Sequence, residues 1–306
     1  MSDQPLVALV TCSQFPNLEA YDAVLIPRLK SMGIGAIPAV WDDPVVDWDA
    51  FDLSIVRSTW DYADRREEFL AWARTVPRLA NPAPVLEWNT DKHYLKDLAA
   101  LGVPVVPTIW LEPQANLTAR GLHTRFPALG DFVLKPAVSA GALGAGRYTA
   151  NDVYLRGRAI QHALHLMQEG KAVMLQRYLP SVDTKGETSM VFLDGRFAYA
   201  VRKDAMLHGP ESAEGDRMYQ EETLQGGYTP TPEEMRVAEL ARGGAMEAMG
   251  NPIRPFLYAR ADIVAGDDGQ PVLLELELTE PSLFPELAVG GIDKVCRAIA
   301  GRLSPV

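Results

Sequence analysis

Four charged residues towards the C-terminal end have the types and spacing of a metal site. They are Arg260, Asp262, Glu275 and Glu277. All four belong to residues 257–278, where two apolar runs flank a Gly-Asp-Asp-Gly turn, the pattern of a β-hairpin. Because strand side chains alternate between faces, pairing about the turn brings Asp262 close to Glu275 and Arg260 close to Glu277. The hairpin is therefore predicted to collect three carboxylates and one arginine on one face.

Crowding of like charges on that face calls for a counter-charge. Like charges opposed across strands are destabilising, and a hard divalent cation with oxygen ligands would offset them. The alternative is a solvated polar face of an amphipathic hairpin, since most strand carboxylates lie in water. On the second strand the opposite face is predicted to carry Leu274, Leu276 and Leu278.

A second candidate site combines a lysine with a glycine-rich loop. Lys135 follows a short apolar run, and residues 137–147 come directly after it. Gly141 and Gly144 in that loop permit backbone conformations closed to other residues. Such a loop can wrap phosphate oxygens with its N–H groups. It is not a P-loop, because no Gly-Lys-Ser/Thr follows, and a mobile turn is the alternative.

Lys92 is a third candidate. It lies in the first turn of a helix predicted to run to Leu101. A cation there is unfavourable against the helix dipole, which indicates an anionic partner. A solvated lysine is the alternative.

A polar and aromatic segment follows the third predicted strand. Its candidate substrate residues are Arg57, Ser58, Trp60, Asp61 and Tyr62. Ligands of open α/β sheets bind beyond the carboxyl ends of the strands. Arg57 could hold a carboxylate through two hydrogen bonds, and Trp60 and Tyr62 could wall a small pocket. Alternatively, the aromatic side chains pack under the next helix.

The predicted elements form an α/β protein of three lobes. The first lobe has β-α-β patterning, with strands at 6–11, 36–41 and 51–56 and a helix at 18–32. Residues 81–89 contain two prolines and are predicted to be a linker. The lobes are then residues 1–89, 90–172 and 173–306. Residues 207–231 are predicted to be a long loop.

Composition limits the classes of partner. The chain has 306 residues, 47% of them hydrophobic, and a formal net charge of −11, which argues against binding of nucleic-acid phosphates. Its start lacks the pattern of a signal peptide, and no apolar run approaches the ~20 residues that span a bilayer. Two cysteines form no disulfide framework. We expect a cytoplasmic protein with a small-molecule substrate and no membrane partner; a homo-oligomer stays open.

The order of these features resembles the ATP-grasp superfamily of carboxylate ligases, which includes glutathione synthetase and D-alanine–D-alanine ligase. The matching landmarks are Lys92, Lys135 before its loop, residues 176–180, Arg260 with Asp262, and residues 275–282. Residues 40–44, 57–62 and 81–92 are more similar to one branch, the cyclo-ligases of D-cycloserine biosynthesis, which act on O-ureido-D-serine.

The resemblance implies a fold and a set of site residues. The N-terminal lobe would be a parallel α/β lobe, and ATP would lie between two antiparallel sheets of the central and C-terminal lobes. The residues implied to bind ATP are Lys92, Lys135, Ser139, Gly141, Gly144, Gln176, Arg177, Tyr178, Leu179 and Glu187. Arg260 and Arg202 would steady the transferring phosphoryl group, and Ser282 joins the substrate candidates.

The implied metal is Mg²⁺, or Mn²⁺ in its place, held by Asp262, Glu275 and Glu277. The family usually has Asn where Glu277 stands. The added charge could tighten metal binding, or Glu277 could pair with Arg260 instead.

The implied activity converts a carboxylate into an acyl phosphate, which a nitrogen then attacks. Residues 139–147 and 207–231 would be lids over this intermediate. The cyclo-ligase branch implies ring closure of O-ureido-D-serine. Two alternatives remain: an intermolecular carboxylate–amine ligase of the glutathione-synthetase type, and an ATP-binding protein without catalysis.

Overall fold

The N-terminal lobe contains a parallel sheet. The computed structural model describes residues 4–210, 223–252 and 254–303. The strands of this sheet are β1 (Leu6–Thr11), β2 (Gly35–Val40), β3 (Leu53–Ser58) and β4 (Leu79–Ala80), in the order β2-β1-β3-β4. Its helices are α1 (Ala20–Ala23), α2 (Leu25–Ser31) and α3 (Arg66–Ala73). The β-α-β prediction is confirmed, although the helix predicted at 18–32 is divided at Val24.

Two helices connect the first lobe to the second. They are α4 (Ala83–Asn89) and α5 (Tyr94–Ala100). The expectation of a linker at 81–89 is wrong, because proline is tolerated in the first turn of a helix, where the backbone N–H would lack a partner. Lys92 lies in the turn between the two helices rather than inside a helix.

The central sheet is antiparallel. Its strands are β5 (Thr108–Leu111), β6 (Asp131–Pro136), β7 (Gly146–Thr149) and β8 (Val173–Arg177), in the order β5-β8-β6-β7. Helices α6 (Ala119–Arg125) and α7 (Val153–Gln168) share a buried core with this sheet. The expected lobe boundary before residue 173 is therefore misplaced, since β8 pairs with both β5 and β6.

The C-terminal sheet is also antiparallel. Its strands are β9 (Glu187–Leu193), β10 (Arg196–Lys203), β11 (Leu224–Tyr228), β12 (Tyr258–Ala265) and β13 (Pro271–Glu277), in the order β11-β10-β9-β12-β13. Its helices are α8 (Ser181–Lys185), α9 (Pro232–Ala248) and α10 (Gly291–Leu303). Short 3₁₀ turns lie at Trp48–Ala50, Trp60–Ala63, Pro113–Ala115 and Pro285–Leu287. Within the predicted loop 207–231, β11 is a strand, and residues 211–222 lie outside the described residues.

A β-bulge in β13 changes which leucines face the core. Pairing steps from Asp262–Glu275 to Ile263–Leu273, so Leu274 has no partner on β12. Leu274 therefore contacts a different cluster from its neighbours, and the expectation that it shares their face is wrong. Three leucines in or just after β13 pack in the core cluster that includes residues of α9: Leu273, Leu276 and Leu278.

The outer edge of β13 is covered by side chains and by a short segment. Asn89 donates to the Leu276 carbonyl at 2.7 Å and accepts from the Leu278 N–H at 2.6 Å. The Tyr94 hydroxyl accepts from the Leu276 N–H at 2.9 Å. Residues 104–106 bond the backbone at the start of the strand. Among the described residues, no helix is long and apolar enough to cross a membrane.

Candidate active site

One cavity lies between the central and C-terminal sheets and reaches the N-terminal lobe. Predicted site residues that line it are Trp60, Tyr62, Lys92, Lys135, Ser139, Gly141, Gln176, Arg177, Tyr178, Leu179, Glu187, Arg260, Asp262, Glu275, Glu277 and Ser282. Residues that were not predicted also line it, among them Lys203, Glu280, Val106, Val133, Val264 and Leu274. Candidate residues that are far apart in the sequence, such as Trp60 and Asp262, therefore line the same cavity.

The register of the acidic hairpin is confirmed. Arg260 pairs with Glu277 and Asp262 with Glu275 across β12 and β13. The carboxylates are balanced by more cations than the single arginine that was expected. Arg260 contacts both Asp262 and Glu277, and Lys203 Nζ lies 3.1 Å from Asp262 Oδ2.

Asp262 is the most completely bonded carboxylate of the cluster. It accepts from Arg260 Nε at 3.0 Å, Arg260 Nη2 at 2.8 Å, Lys203 Nζ at 3.1 Å and Ser189 Oγ at 2.6 Å. Burial alone would raise the pKa of Asp262, but the charges of Arg260 and Lys203 outweigh it and hold that pKa well below its usual range. Asp262 is ionised at neutral pH.

Glu275 and Glu277 face the cavity with opposite protonation tendencies. Their side chains are 23% and 24% exposed. Burial favours the neutral form of Glu275, but Lys92 and Lys135 reverse this and lower its pKa. Burial raises the pKa of Glu277 to about 8, against the effect of Arg260 and with the support of the neighbouring Asp262. The pKa values of the two glutamates are therefore shifted in opposite directions.

The carboxylates provide oxygen ligands of the type that a hard cation prefers, but they do not form a complete metal site. Among the residues that the structure describes, no group of three His, Cys, Asp or Glu is positioned to hold a metal ion. Glu275 and Glu277 are accessible from the cavity and fit as Mg²⁺ ligands. Asp262 would have to exchange part of its present hydrogen bonds to join them.

Lysines gather at the same end of the cavity. Lys92 Nζ lies 3.0 Å from Glu275 Oε1 and donates to the Ser139 carbonyl at 2.6 Å, which ties it to the glycine-rich loop. Lys135 also lines the cavity, and no carboxylate among the described residues lies within 4.0 Å of its Nζ. Burial lowers the pKa of Lys135, with Glu275 opposing that effect. Lys135 is thus placed where it can bind an anionic ligand in the cavity.

The end of β8 and the nearby valines form the apolar part of the cavity. The Gln176 side chain donates to Thr108 Oγ1 at 2.8 Å, so its amide is held away from a ligand. Tyr178 donates to Asp183 at 2.5 Å, and the Arg147 guanidinium lies 3.6 Å from its ring centroid. A fixed apolar wall of this kind suits a planar base.

Gly144 is needed for the shape of the loop and is not among the residues lining the cavity. Its φ is +70°, and a Cβ there would lie 3.2 Å from Pro136 Cγ. The expectation that Gly144 contacts ATP is therefore replaced by a role in closing the loop against β6.

Lys203, and not Arg202, faces the cavity. Consecutive strand residues point to opposite faces. Arg202 donates to the Lys185 carbonyl at 2.5 Å and stacks on Tyr228 at 4.0 Å. Lys203 lies 3.2 Å from Glu187. The predicted catalytic position of Arg202 is thus corrected to its neighbour, which strand alternation could have indicated.

Arg57 is a structural residue of the first lobe. It is 1% exposed, donates to Asp22 Oδ1 at 2.9 Å through Nε, and donates to the Pro281 carbonyl through Nη2. Ser58 donates to the same Asp22 at 3.0 Å. The expectation that Arg57 and Ser58 bind substrate is therefore wrong, because neither is among the residues lining the cavity.

In the 3₁₀ turn Trp60–Ala63, neighbouring side chains point in different directions. Trp60 and Tyr62 line the cavity, as predicted. Asp61 turns away and accepts from Trp41 Nε1 at 3.0 Å, so its predicted contact with substrate is wrong. Ser282 lines the cavity, and its carbonyl accepts from Arg260 Nη1 at 3.0 Å.

Glu280 is, with Lys203, a charged residue of the cavity that the sequence did not predict. It is 8% exposed and lines the cavity close to Tyr62. Burial raises its pKa to about 7. The signal in the sequence is weak, since Glu280 lies beyond the alternating pattern of β13.

Comparison with known proteins relates the chain to one family of enzymes. The family model of the D-cycloserine synthetase DcsG N-terminal domain matches residues 7–81. The cycloserine biosynthesis protein DcsG of Streptomyces lavendulae is 34% identical over 305 residues, covering 98% of this chain and 99% of that protein. The crystal structure of D-cycloserine synthetase DcsG matches with a TM-score of 0.84 and 34% identity, over 98% of this chain and 100% of that one.

More distant structures share the fold. An ATP-grasp RimK domain protein of Sphaerobacter thermophilus matches with a TM-score of 0.63 at 16% identity, over 97% of this chain and 98% of that one. The D-alanine–D-alanine ligase of Bacillus anthracis, in complex with ATP, matches with a TM-score of 0.66 at 14% identity, over 98% and 99% of the two chains.

Proposed function

The chain belongs to the D-cycloserine synthetase (DcsG) family and is an ATP-dependent ligase of the ATP-grasp fold, and we propose that it cyclises O-ureido-D-serine to D-cycloserine. The observation that carries this proposal is the single cavity in which Lys92, Lys135 and Lys203 meet an acidic hairpin, with Trp60 and Tyr62 at the N-terminal lobe. The lysines provide positive charge for the phosphates of ATP, and the aromatic side chains bound a small space for the substrate in the same cavity.

The chemistry follows from the charges. A carboxylate is a poor electrophile, and transfer of the ATP γ-phosphoryl group gives it phosphate as a leaving group. Lys92 and Lys135 bind the phosphates, while Lys203 and Arg260 face the group in transfer. Residues 177–179 and the nearby valines bind the adenine, and Glu187 lies towards the ribose.

A bound Mg²⁺ would neutralise phosphate oxygens and align the transfer. Glu275 and Glu277 would hold it, and Asp262 would be a third ligand if it exchanged part of its present hydrogen bonds. Glu275 also pairs with Lys92, and Glu277 pairs with Arg260. These ion pairs fix the positions of the two cations before the metal binds.

Ring closure needs no second amine. The nitrogen beside the side-chain oxygen of the substrate attacks its own carboxyl carbon, and phosphate leaves. Hydrolysis of the carbamoyl group by one water then gives carbon dioxide and ammonia. Well-placed intramolecular partners reach effective molarities of roughly 10⁵ M or more, so a space for one small amino acid is sufficient.

The test supplies O-ureido-D-serine alone with ATP and Mg²⁺ and follows ADP and the cyclic product by mass. We expect both to form together. ADP only after addition of a second amine would show an intermolecular ligase. No ADP with any small amino-acid carboxylate would show an ATP-binding protein without this catalysis.

A further inference from the structure

Glu280 differs from every other carboxylate of the cavity. Each of the other four has a cation within 4.0 Å: Glu187 and Asp262 have Lys203, Glu275 has Lys92, and Glu277 has Arg260. No ion pair within 4.0 Å joins Glu280 to a cation among the described residues, and Tyr62 is its neighbour in the cavity. A buried carboxylate without a paired cation is costly. Burial raises the pKa of Glu280 to about 7.

The backbone around Glu280 is fixed by three buried side chains. Tyr258 donates to the Thr279 carbonyl at 2.8 Å. Arg57 donates to the Pro281 carbonyl, and Arg260 donates to the Ser282 carbonyl at 3.0 Å. These contacts come from β3 and β12, so both lobes hold the loop. A group held this rigidly is preorganised for a ligand.

The surroundings of Glu280 favour a small cation. Trp60 and Tyr62 line the same cavity, and aromatic faces attract cations. Lys92 and Glu275 belong to the same cavity, at the end assigned to carboxylate activation. The ammonium group of an α-amino acid is attached to the carbon next to its carboxylate, so it must lie close to that end.

We propose that Glu280, next to Tyr62 in this cavity, binds the α-ammonium group of the amino-acid substrate. The proposal rests on the proposed function, because an amino-acid substrate is what brings an ammonium group into this cavity. It makes Glu280 the residue that selects amino acids over carboxylic acids without the amine.

The test compares O-ureido-D-serine with its des-amino counterpart, 3-(ureidooxy)propanoate, in ADP-release kinetics. Glu280→Gln keeps the size of the side chain and removes its charge. We expect the KM for O-ureido-D-serine to rise by roughly 10- to 100-fold, the KM for ATP to change little, and the preference for the amino compound to disappear.

Tyr62→Phe is the second variant, because it keeps the aromatic wall and the Glu280 charge. It should shift the same two quantities in the same direction, by roughly 3- to 10-fold. An active wild type whose Glu280→Gln and Tyr62→Phe variants keep both the KM and the preference would overturn this inference alone. A wild type that turns over no amino-acid carboxylate would overturn the proposed function, and this inference with it.

Discussion

Lys92 Nζ and Glu275 Oε1 lie 3.0 Å apart, and this ion pair joins the turn before α5 to β13. The crowded acids of the hairpin are thus balanced by lysines from elsewhere in the chain. Removal of one acid then costs a favourable pair, whereas repulsion among the acids alone would favour its removal.

Glu275→Gln and Glu277→Gln should therefore differ in stability without Mg²⁺. The folded pKa of Glu275 is below its ordinary value of 4.5, so its charge stabilises the fold at every pH above about 4.5 and is lost as pH falls through the folded value. Burial raises the pKa of Glu277 to about 8, so its charge contributes less to stability at pH 7 than that of Glu275. Urea unfolding at pH 7 should show a loss of about 1 kcal/mol for Glu275→Gln and a much smaller one for Glu277→Gln. Equal losses would contradict the assignment.

Lys135→Ala should lose ATP binding and keep the fold. Lys135 lines the cavity without a carboxylate partner among the described residues, so its charge is available to phosphate. Calorimetric titration should show ATP affinity weakened by roughly 10-fold or more. Lys96→Ala is the matched control, since Lys96 lies over Trp110 outside the cavity. Unchanged affinity in Lys135→Ala would remove this lysine from the site.

The neighbouring pair on β10 gives an internal comparison. Lys203→Met removes a cation that faces the phosphoryl group in the proposed reaction, and we expect kcat to fall by roughly 100-fold. Arg202→Met removes a side chain that packs on Tyr228, and turnover should stay within about twofold, as expected for a group outside the site. The reverse ranking would restore Arg202 as the catalytic cation.

Arg57→Met should destabilise the protein by about 3 kcal/mol, because Asp22 is left buried without its arginine. Adding Asp22→Asn removes the stranded charge and should recover part of the loss. Arg28→Met is the control, since its pair with Asp293 is 37% and 41% exposed and should contribute at most about 1 kcal/mol. Urea denaturation measures all four proteins. An Arg57→Met loss no larger than that of the control would contradict the buried pair.

His162 should make the stability sensitive to acid. Burial lowers its pKa from 6.5 to about 4, and Tyr148 lies 2.9 Å from its Nδ1. The unfolded chain binds a proton below pH 6.5 while the folded chain does not, so stability falls as pH drops from about 6.5 to about 4, by up to about 3 kcal/mol. His162→Gln should lose this dependence, whereas His123→Gln, at an exposed position, should keep it. Parallel curves for wild type and His162→Gln would exclude the effect.

Local sequence patterns were sufficient to predict contacts that lie within one structural element. The hairpin register came from the turn and strand alternation, so Arg260 opposite Glu277 was predictable. Long-range partners decided the rest. Arg57 has the same type as a substrate-binding arginine, but its partners lie 35 and 224 residues away. The bulge at Leu274 could not be predicted, because leucine and glutamate alternate without interruption in residues 274–278.

Asn89 has a consequence beyond the site. Its side-chain amide replaces a strand's peptide group at the rim of the C-terminal sheet, where exposed donors and acceptors would form a template for another molecule. Intermolecular β-pairing at that rim would have to displace Asn89, Tyr94 and residues 104–106 first. The same contacts that anchor the acidic hairpin thus protect the protein from edge-to-edge aggregation while it works.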